Sequence, residues 1–228
     1  ASSTSCLQAQ TGNAVITVNQ LPTASISGST SICRNATSPN ITFTGADGTA
    51  PYTFTYSING GINRTVTTTV GNSVTVGVPT NISGTFNYVL LSVQDASSSA
   101  CIQAQSGTAT VIINPLPTAN ITGTTAVCKD ASFPHVTFTG ASGTAPYTFT
   151  YNINGGNNQT VTTSSGNSVS VTVPTGIAGI YTYSLLSVQD ASSTSCLQAQ
   201  SGTAIVSVNS LPTASISGNA SVCNNAPS

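Results

Sequence analysis

One spacing governs this chain. The decapeptide ASSTSCLQAQ at Ala1–Gln10 returns unchanged at Ala191–Gln200, and its near-copy ASSSACIQAQ lies between them at Ala96–Gln105. The step is 95 residues each time, and the tag LPTA obeys it at Leu21, Leu116 and Leu211. The cysteines follow in two series, Cys6, Cys101, Cys196 and Cys33, Cys128, Cys223. Aligned without a gap, 21–115 and 116–210 agree at roughly two-thirds of positions, so the fold must be built from one unit used repeatedly. Residues 21–115 and 116–210 are two such units. Residues 1–20 read as the tail of a preceding one and 211–228 as the head of a following one, so an excerpt from a longer array is expected.

The unit reads as all-β. No helical period is sustained anywhere, whereas short alternating runs recur. Val74, Val76 and Val78 alternate with Ser73, Thr75 and Gly77, and Tyr52, Phe54 and Tyr56 alternate with Thr53 and Thr55. Each run predicts a strand with one buried face. The predicted strands of the first unit are Thr23–Ser27, Asn40–Thr44, Tyr52–Ile58, Arg64–Thr69, Ser73–Val78, Thr85–Val93 and Thr108–Asn114. The run Tyr88–Val93 is apolar on both sides, as a central strand is. Asn59-Gly60 and Asn154-Gly155 predict hairpin turns, because both central residues of such a turn take positive φ. Short strands separated by turns over one 95-residue unit predict tandem immunoglobulin-like β-sandwiches. Tyr88, Tyr183, Phe86 and Tyr181 are expected in the core, with one tyrosine making a corner hydrogen bond.

The units meet at very short connectors carrying Leu21 and Pro22, then Pro115, Leu116 and Pro117, then Leu211 and Pro212. Proline fixes φ and favours extended backbone, so a stiff spacer is expected. Units of about 40 Å, from strands of about ten residues, would then string into a rod.

Composition narrows the function. Only 3% of residues are charged and the net charge is −1. No basic footprint exists for nucleic acid or anionic membrane, and no run approaches the ~20 apolar residues of a membrane-spanning helix. Such a surface repels its own copies weakly, which suits lateral association. One cysteine pair per unit favours structural disulfides in an oxidising, extracellular setting. Three pairings are open. Cys33–Cys101 with Cys128–Cys196 would close one loop per unit and stabilise it by about 3–5 kcal/mol. Cys33–Cys196 would cross between units, and Cys101–Cys128 would span the linker. The intra-unit pairing is the expectation, because it lets each unit fold alone. Against it, Cys33 and Cys101 fall nominally at opposite ends of a sandwich. Cys6 and Cys223 would find partners outside the excerpt.

The segments GTAPYTFTY, GTFNYVLLSVQDA and SACIQAQSGTATVIINPLPTA resemble the Ig-like and PKD-like repeats of very large secreted surface proteins of Bacteroidota, the gliding adhesins and the filaments of predatory relatives. The matching parts are Gly48–Tyr52, Gly84–Tyr88 and Asp95–Cys101, then Gly143–Tyr147, Gly179–Tyr183 and Asp190–Cys196. The chain departs from PKD domains in lacking Trp and in reading INGG where those carry an Asp-rich GDG hairpin. The resemblance implies type IX export, attachment to the cell surface, and a part in adhesion or fibre building.

Catalysis finds no support. His135 is the one histidine, and Asn40 takes its place in the other unit. Calcium wants several carboxylates, yet Asp95 and Asp190 are the only recurring ones, and they suit turn capping. Zinc would need clustered ligands. No cofactor is expected. Threonine rows such as Thr65, Thr67 and Thr69, with Thr42, Thr44, Thr53 and Thr55, fit β propensity and solubility; ice or sugar binding is their alternative use. The sequence thus predicts a non-enzymatic stalk or filament module that associates with copies of itself and reaches other cells through domains elsewhere. A multivalent binder of polysaccharide, prey or ice is the other reading.

Overall fold

A computed structural model describes residues 1, 4–221, 223 and 224; parts of the fragments 1–20 and 211–228 lie outside the described residues. The chain divides into two compact units, Ala1–Ile113 and Asn114–Ser228. Among the described residues all regular elements are strands.

In the first unit these are β1 (Thr23–Ser27), β2 (Thr30–Cys33), β3 (Asn40–Ala46), β4 (Thr53–Ile58), β5 (Arg64–Thr67), β6 (Ser73–Gly77), β7 (Gly84–Gln94), β8 (Ile102–Ala104) and β9 (Thr108–Asn114). One sheet has the order β1-β3-β6; the other runs β2-β9-β7-β4-β5, with β8 beside β7. The second unit repeats the plan with β10 (Thr118–Thr122), β11 (Thr125–Cys128), β12 (His135–Ala141), β13 (Thr148–Ile153), β14 (Gln159–Thr162), β15 (Ser168–Thr172), β16 (Gly179–Gln189) and β17 (Leu197–Asn209). Its sheets are β10-β12-β15 and β11-β17-β16-β13-β14. This is an immunoglobulin-like sandwich in which the first strand is split between the sheets.

The split is a glycine device. Gly123 takes φ 117° between β10 and β11, and a Cβ there would fall on the backbone carbonyl of His135. Only glycine fits, so the chain can leave one sheet and join the other. Sequence alternation did not reveal β2 and β11, because four residues such as TSIC or TAVC carry too little pattern. It also overran β5, which ends at Thr67 and leaves Thr69 outside.

Each core lies between its two sheets. In the first unit Ile41, Phe43, Phe54, Tyr56, Val78, Tyr88, Leu90, Val93, Val111 and Ile113 are buried. The rings of Phe43 and Phe54 stack at 5.6 Å and those of Tyr56 and Tyr88 at 6.2 Å. In β7 both Leu90 and Val93 point inward despite their odd spacing, because the register against β4 slips between Thr55 and Tyr56. The bulge brings Val93 inward, while Val89 and Leu91 lie half-buried on the other face, so Tyr88–Val93 reads as apolar on both sides. Tyr88 and Tyr183 are core residues, whereas Phe86 and Tyr181 are only partly buried against it.

Candidate functional site

The two ends of a unit differ chemically, and each holds one cysteine. At the upstream end, where the chain comes in, Pro117 is buried and its carbonyl accepts from Gln200 Nε2 at 3.5 Å. Pro22 is buried in the same way beneath Gln105. The prolines Pro22 and Pro117 thus belong to the sandwiches, while Pro115, Leu211 and Pro212 are exposed and Leu116 is half-buried. Leu21 is also exposed.

The same end carries an aspartate turn. Asp190 is buried, and its Oδ2 accepts from Thr144 N at 3.1 Å. Its Oδ1 accepts from Cys196 N and Ser192 Oγ, both at 2.8 Å. Hydroxyls of Thr194 and Ser192 stand 3.3 and 3.6 Å from Cys196 Sγ. The first unit builds the same cradle. Asp95 accepts from Thr49 N, Cys101 N and Ser97 Oγ at 3.1, 2.9 and 2.8 Å, and Ser99 Oγ lies 3.2 Å from Cys101 Sγ. Burial pushes the Asp95 carboxyl up, but these donors more than offset it and hold the group below its ordinary value. Asn19 and Asn114, three residues ahead of Pro22 and Pro117, donate to the turns, to Ser99 Oγ at 2.7 Å and Thr194 Oγ1 at 2.9 Å. Tyr52 and Tyr147 close this end, their hydroxyls donating to Gly48 O at 2.7 Å and Gly143 O at 2.8 Å. Tyr181 makes a second corner bond, to Ile177 O at 3.0 Å, which Phe86 cannot copy.

The downstream end holds the other cysteine series. β11 runs parallel to β17, and Cys128 lies opposite Asn209, the last residue of β17. The turn after it is fixed by Ala131 N to Cys128 O at 3.1 Å and Thr175 Oγ1 to Ala131 O at 2.7 Å. In the first unit Ala36 N bonds Cys33 O at 3.1 Å and Thr80 Oγ1 bonds Ala36 O at 2.8 Å.

This geometry corrects the intra-unit disulfides. Cys196 immediately precedes β17 and Cys128 sits at its far end, so the 13 residues of that strand separate them. At ~3.3 Å per residue the gap is about 40 Å, whereas bridged cysteines have Cα atoms within about 7 Å. Cys128–Cys196 cannot form, and Cys33–Cys101 faces the same separation along β8 and β9. Cys33 and Cys196 are disulfide-bonded, while Cys101, Cys128, Cys6 and Cys223 are free thiols. The linker-spanning pair Cys101–Cys128 is therefore not formed either.

The Asn-Gly turns do more than reverse the chain. Asn59 and Gly60 take φ 51° and 70°, and Asn154 and Gly155 take 52° and 70°. Asn59 Nδ2 donates to Thr85 O at 3.1 Å and its Oδ1 accepts from Asn87 N at 2.8 Å, so the side chain extends the ladder to β7. β5 begins only at Arg64, opposite Tyr56, so the connection is longer than a two-residue hairpin.

Among the described residues no group of three or more His, Cys, Asp or Glu could hold a metal, and His135 is exposed at the start of β12. An open cleft of about 430 Å³ in the first unit is lined by residues that include Tyr56, Ile58, Arg64, Val76, Phe86 and Tyr88. The threonine rows are largely self-satisfied: Thr53 and Thr67 hydroxyls pair at 2.9 Å, Thr148 and Thr162 at 2.9 Å, and Thr139 with Ser168 at 2.8 Å. Among the described residues no helix is long and apolar enough to cross a membrane.

No protein-family profile matches the sequence, and no curated protein does. Among solved structures, the chain is similar to a 1.5-MDa bacterial ice-binding adhesin at 17% identity, covering 85% of this chain and 67% of that one, with a TM-score of 0.42. A Ca²⁺-stabilized adhesin of an Antarctic bacterium, which binds ice, matches at 17% identity over 85% of this chain and 49% of that one, with a TM-score of 0.45. Invasin, a bacterial integrin-binding protein, matches at 14% identity over 84% and 40%, with a TM-score of 0.33. The chain therefore spans about half the length of the second and less of the third. Likenesses at this level bear on neither ligand nor partner.

Proposed function

We propose that this chain is a load-bearing stretch of a large secreted surface protein, a stalk or filament module that transmits tension between the cell and a distant contact. The observation that carries the reading is the parallel pairing of β11 with β17, from Thr125↔Val206 to Cys128↔Asn209. Tension draws the incoming strand toward the upstream end and the last strand toward the downstream end. Parallel neighbours pulled in opposite directions slide along each other, so their hydrogen bonds must fail together. A hairpin pulled from its open end would instead unzip one bond at a time. The resemblance to surface proteins of Bacteroidota supports type IX export, extracellular display and contact with other cells through domains elsewhere. Lateral association with copies of the chain is supported by uncharged outer strands, since TANIT, SVSVT and QTVT carry none of the charges that keep sheet edges apart.

Single-molecule stretching of the reduced 228-residue chain tests the reading. Val127→Pro removes a strand donor two residues before Lys129 N, which bonds Asn209 O at 2.7 Å. The unfolding force of the second unit should fall while that of the first stays unchanged. Equal forces before and after the substitution, in a variant whose circular dichroism is unaltered, would refute the load-bearing role of this pair.

A further inference from the structure

The open cleft of the first unit takes its lining from β4, β5 and β7 of one sheet, from β6 of the other, and from the connection between β6 and β7. Its volume of about 430 Å³ falls in the range of small-molecule sites, about 300–1,000 Å³. Tyr56 and Tyr88 are core residues that also line it. Ile82, which is exposed, and Phe86, which is half-buried, add apolar wall, while Asn81 and Arg64 add polar groups. The second unit fills two of these positions differently, with Gln159 for Arg64 and Tyr181 for Phe86. There the Tyr151 hydroxyl donates to Gln159 Oε1 at 3.1 Å and the Tyr181 hydroxyl to Ile177 O at 3.0 Å. Neither bond can form in the first unit, because a guanidinium has no acceptor and phenylalanine no hydroxyl. The Arg64 charge also lacks an acid beside it: the chain has four acidic residues, Asp47, Asp95, Asp130 and Asp190, and none lines the cleft. Burial pushes the Tyr88 hydroxyl up, Tyr56 adds to that, and the nearby Arg64 charge pulls it down.

We propose that this cleft binds a uronate residue of an acidic polysaccharide, with the sugar carboxylate on Arg64 and the ring against Phe86 and Ile82. A guanidinium takes a carboxylate through two parallel N–H bonds, which fixes orientation as well as charge. A single cation with no acid beside it calls for one negative group. The apolar wall suits the C–H face of a sugar ring, and Tyr56, Tyr88 and Asn81 offer hydroxyl and amide partners for its hydroxyls. A neutral sugar would leave the guanidinium unpaired, and a plain fatty carboxylate would leave the hydroxyls and the amide unpaired. The site belongs to the first unit alone and does not rest on the load-bearing role, so either reading can fail without the other.

Titration of the 228-residue chain with oligogalacturonate and with oligoglucuronate, followed by calorimetry and by amide NMR shifts, tests this. At least one of the two should bind at one site per chain, shifting Arg64, Asn81 and Phe86 and leaving Gln159 and Tyr181 unmoved. The methyl-esterified oligomers, which keep the rings and lose the charge, should bind about tenfold more weakly or not at all. Arg64→Gln should weaken binding by about the same factor, and the second unit shows that the sandwich accommodates glutamine at this position. Gln159→Arg combined with Tyr181→Phe should raise the stoichiometry from one to two. No binding of either acid at millimolar concentration overturns the proposal, as does equal affinity of the esters or of Arg64→Gln. A stoichiometry that stays at one in the double variant overturns the assignment to these two positions.

Discussion

Each unit should unfold under load in a step large enough to read in one experiment. A reduced repeat of 95 residues stretches to ~3.5 Å per residue, about 330 Å, from a folded length of ~40 Å. Each unit should therefore release about 290 Å when it unfolds, and a trace should carry two such steps. Stretching the reduced chain between its termini should show both steps, and Val127→Pro should lower the force of one of them while its length stays at about 290 Å. Pairing within each unit would give a different oxidised trace. It would lock the 68 residues from Cys33 to Cys101 and leave two equal steps of about 50 Å. Steps of about 50 Å in the oxidised trace, or equal forces before and after the substitution, would sink the reasoning.

Other outcomes follow from single contacts. A Cβ on Gly45 would lie 2.6 Å from the Tyr52 ring, so Gly45→Ala should destabilise the first unit by about 1–3 kcal/mol in denaturant titration; an unchanged midpoint would show that the ring shifts freely. Phe86→Tyr should let the first unit copy the Tyr181–Ile177 corner bond and gain about 1 kcal/mol, read by differential scanning calorimetry, and no gain would mean that the corner bond in the second unit is idle. The depressed Asp95 carboxyl contributes stability that is fully present above its unfolded value near 3.8 and lost as pH falls through the lower folded value. The melting midpoint of the first unit should thus hold flat through neutral pH and drop below about pH 4, and Asp95→Asn should remove much of that drop. Burial raises Tyr88, Tyr151 and Tyr183 above 10.0. Stability should be intact below pH 10 and fall above it, with tyrosinate absorbance rising together with unfolding; ionisation well ahead of unfolding would place these hydroxyls in water.

Much of the sandwich was legible because its strands obey the two-residue period over five or more residues. Thr23–Ser27 and Thr108–Asn114 could be read to the residue, since each alternates cleanly and is bounded by turn residues. β2 and β8 were not legible, because three or four residues cannot establish a period and their place depends on β9 and β7 already being there. The aspartate cradles were half legible: a recurring Asp before a Ser-rich turn indicates capping, but only coordinates show that Cys101 and Cys196 receive their fixed positions from it. Nothing in the Asn-Gly dipeptide announced that Asn59 would bridge Thr85 and Asn87, since that use needs β7 to project past the turn.

Pairing cysteines by nearness in sequence fails here for a reason that carries over to other tandem arrays. A unit able to close its own loop in sequence does not thereby bring the two residues together in space. In a sandwich of long strands, a residue just before the last strand and a residue opposite its final position are as far apart as the unit allows. The sequence does hold the signal: Cys196 precedes the run LQAQSGTAIVSVN, and that run leads straight to the linker. One cysteine of each unit is therefore fixed at the upstream end and the other at the downstream end, with a whole strand length between them. The same spacing recurs in the other unit, so a pairing misassigned within one unit would be repeated at each period.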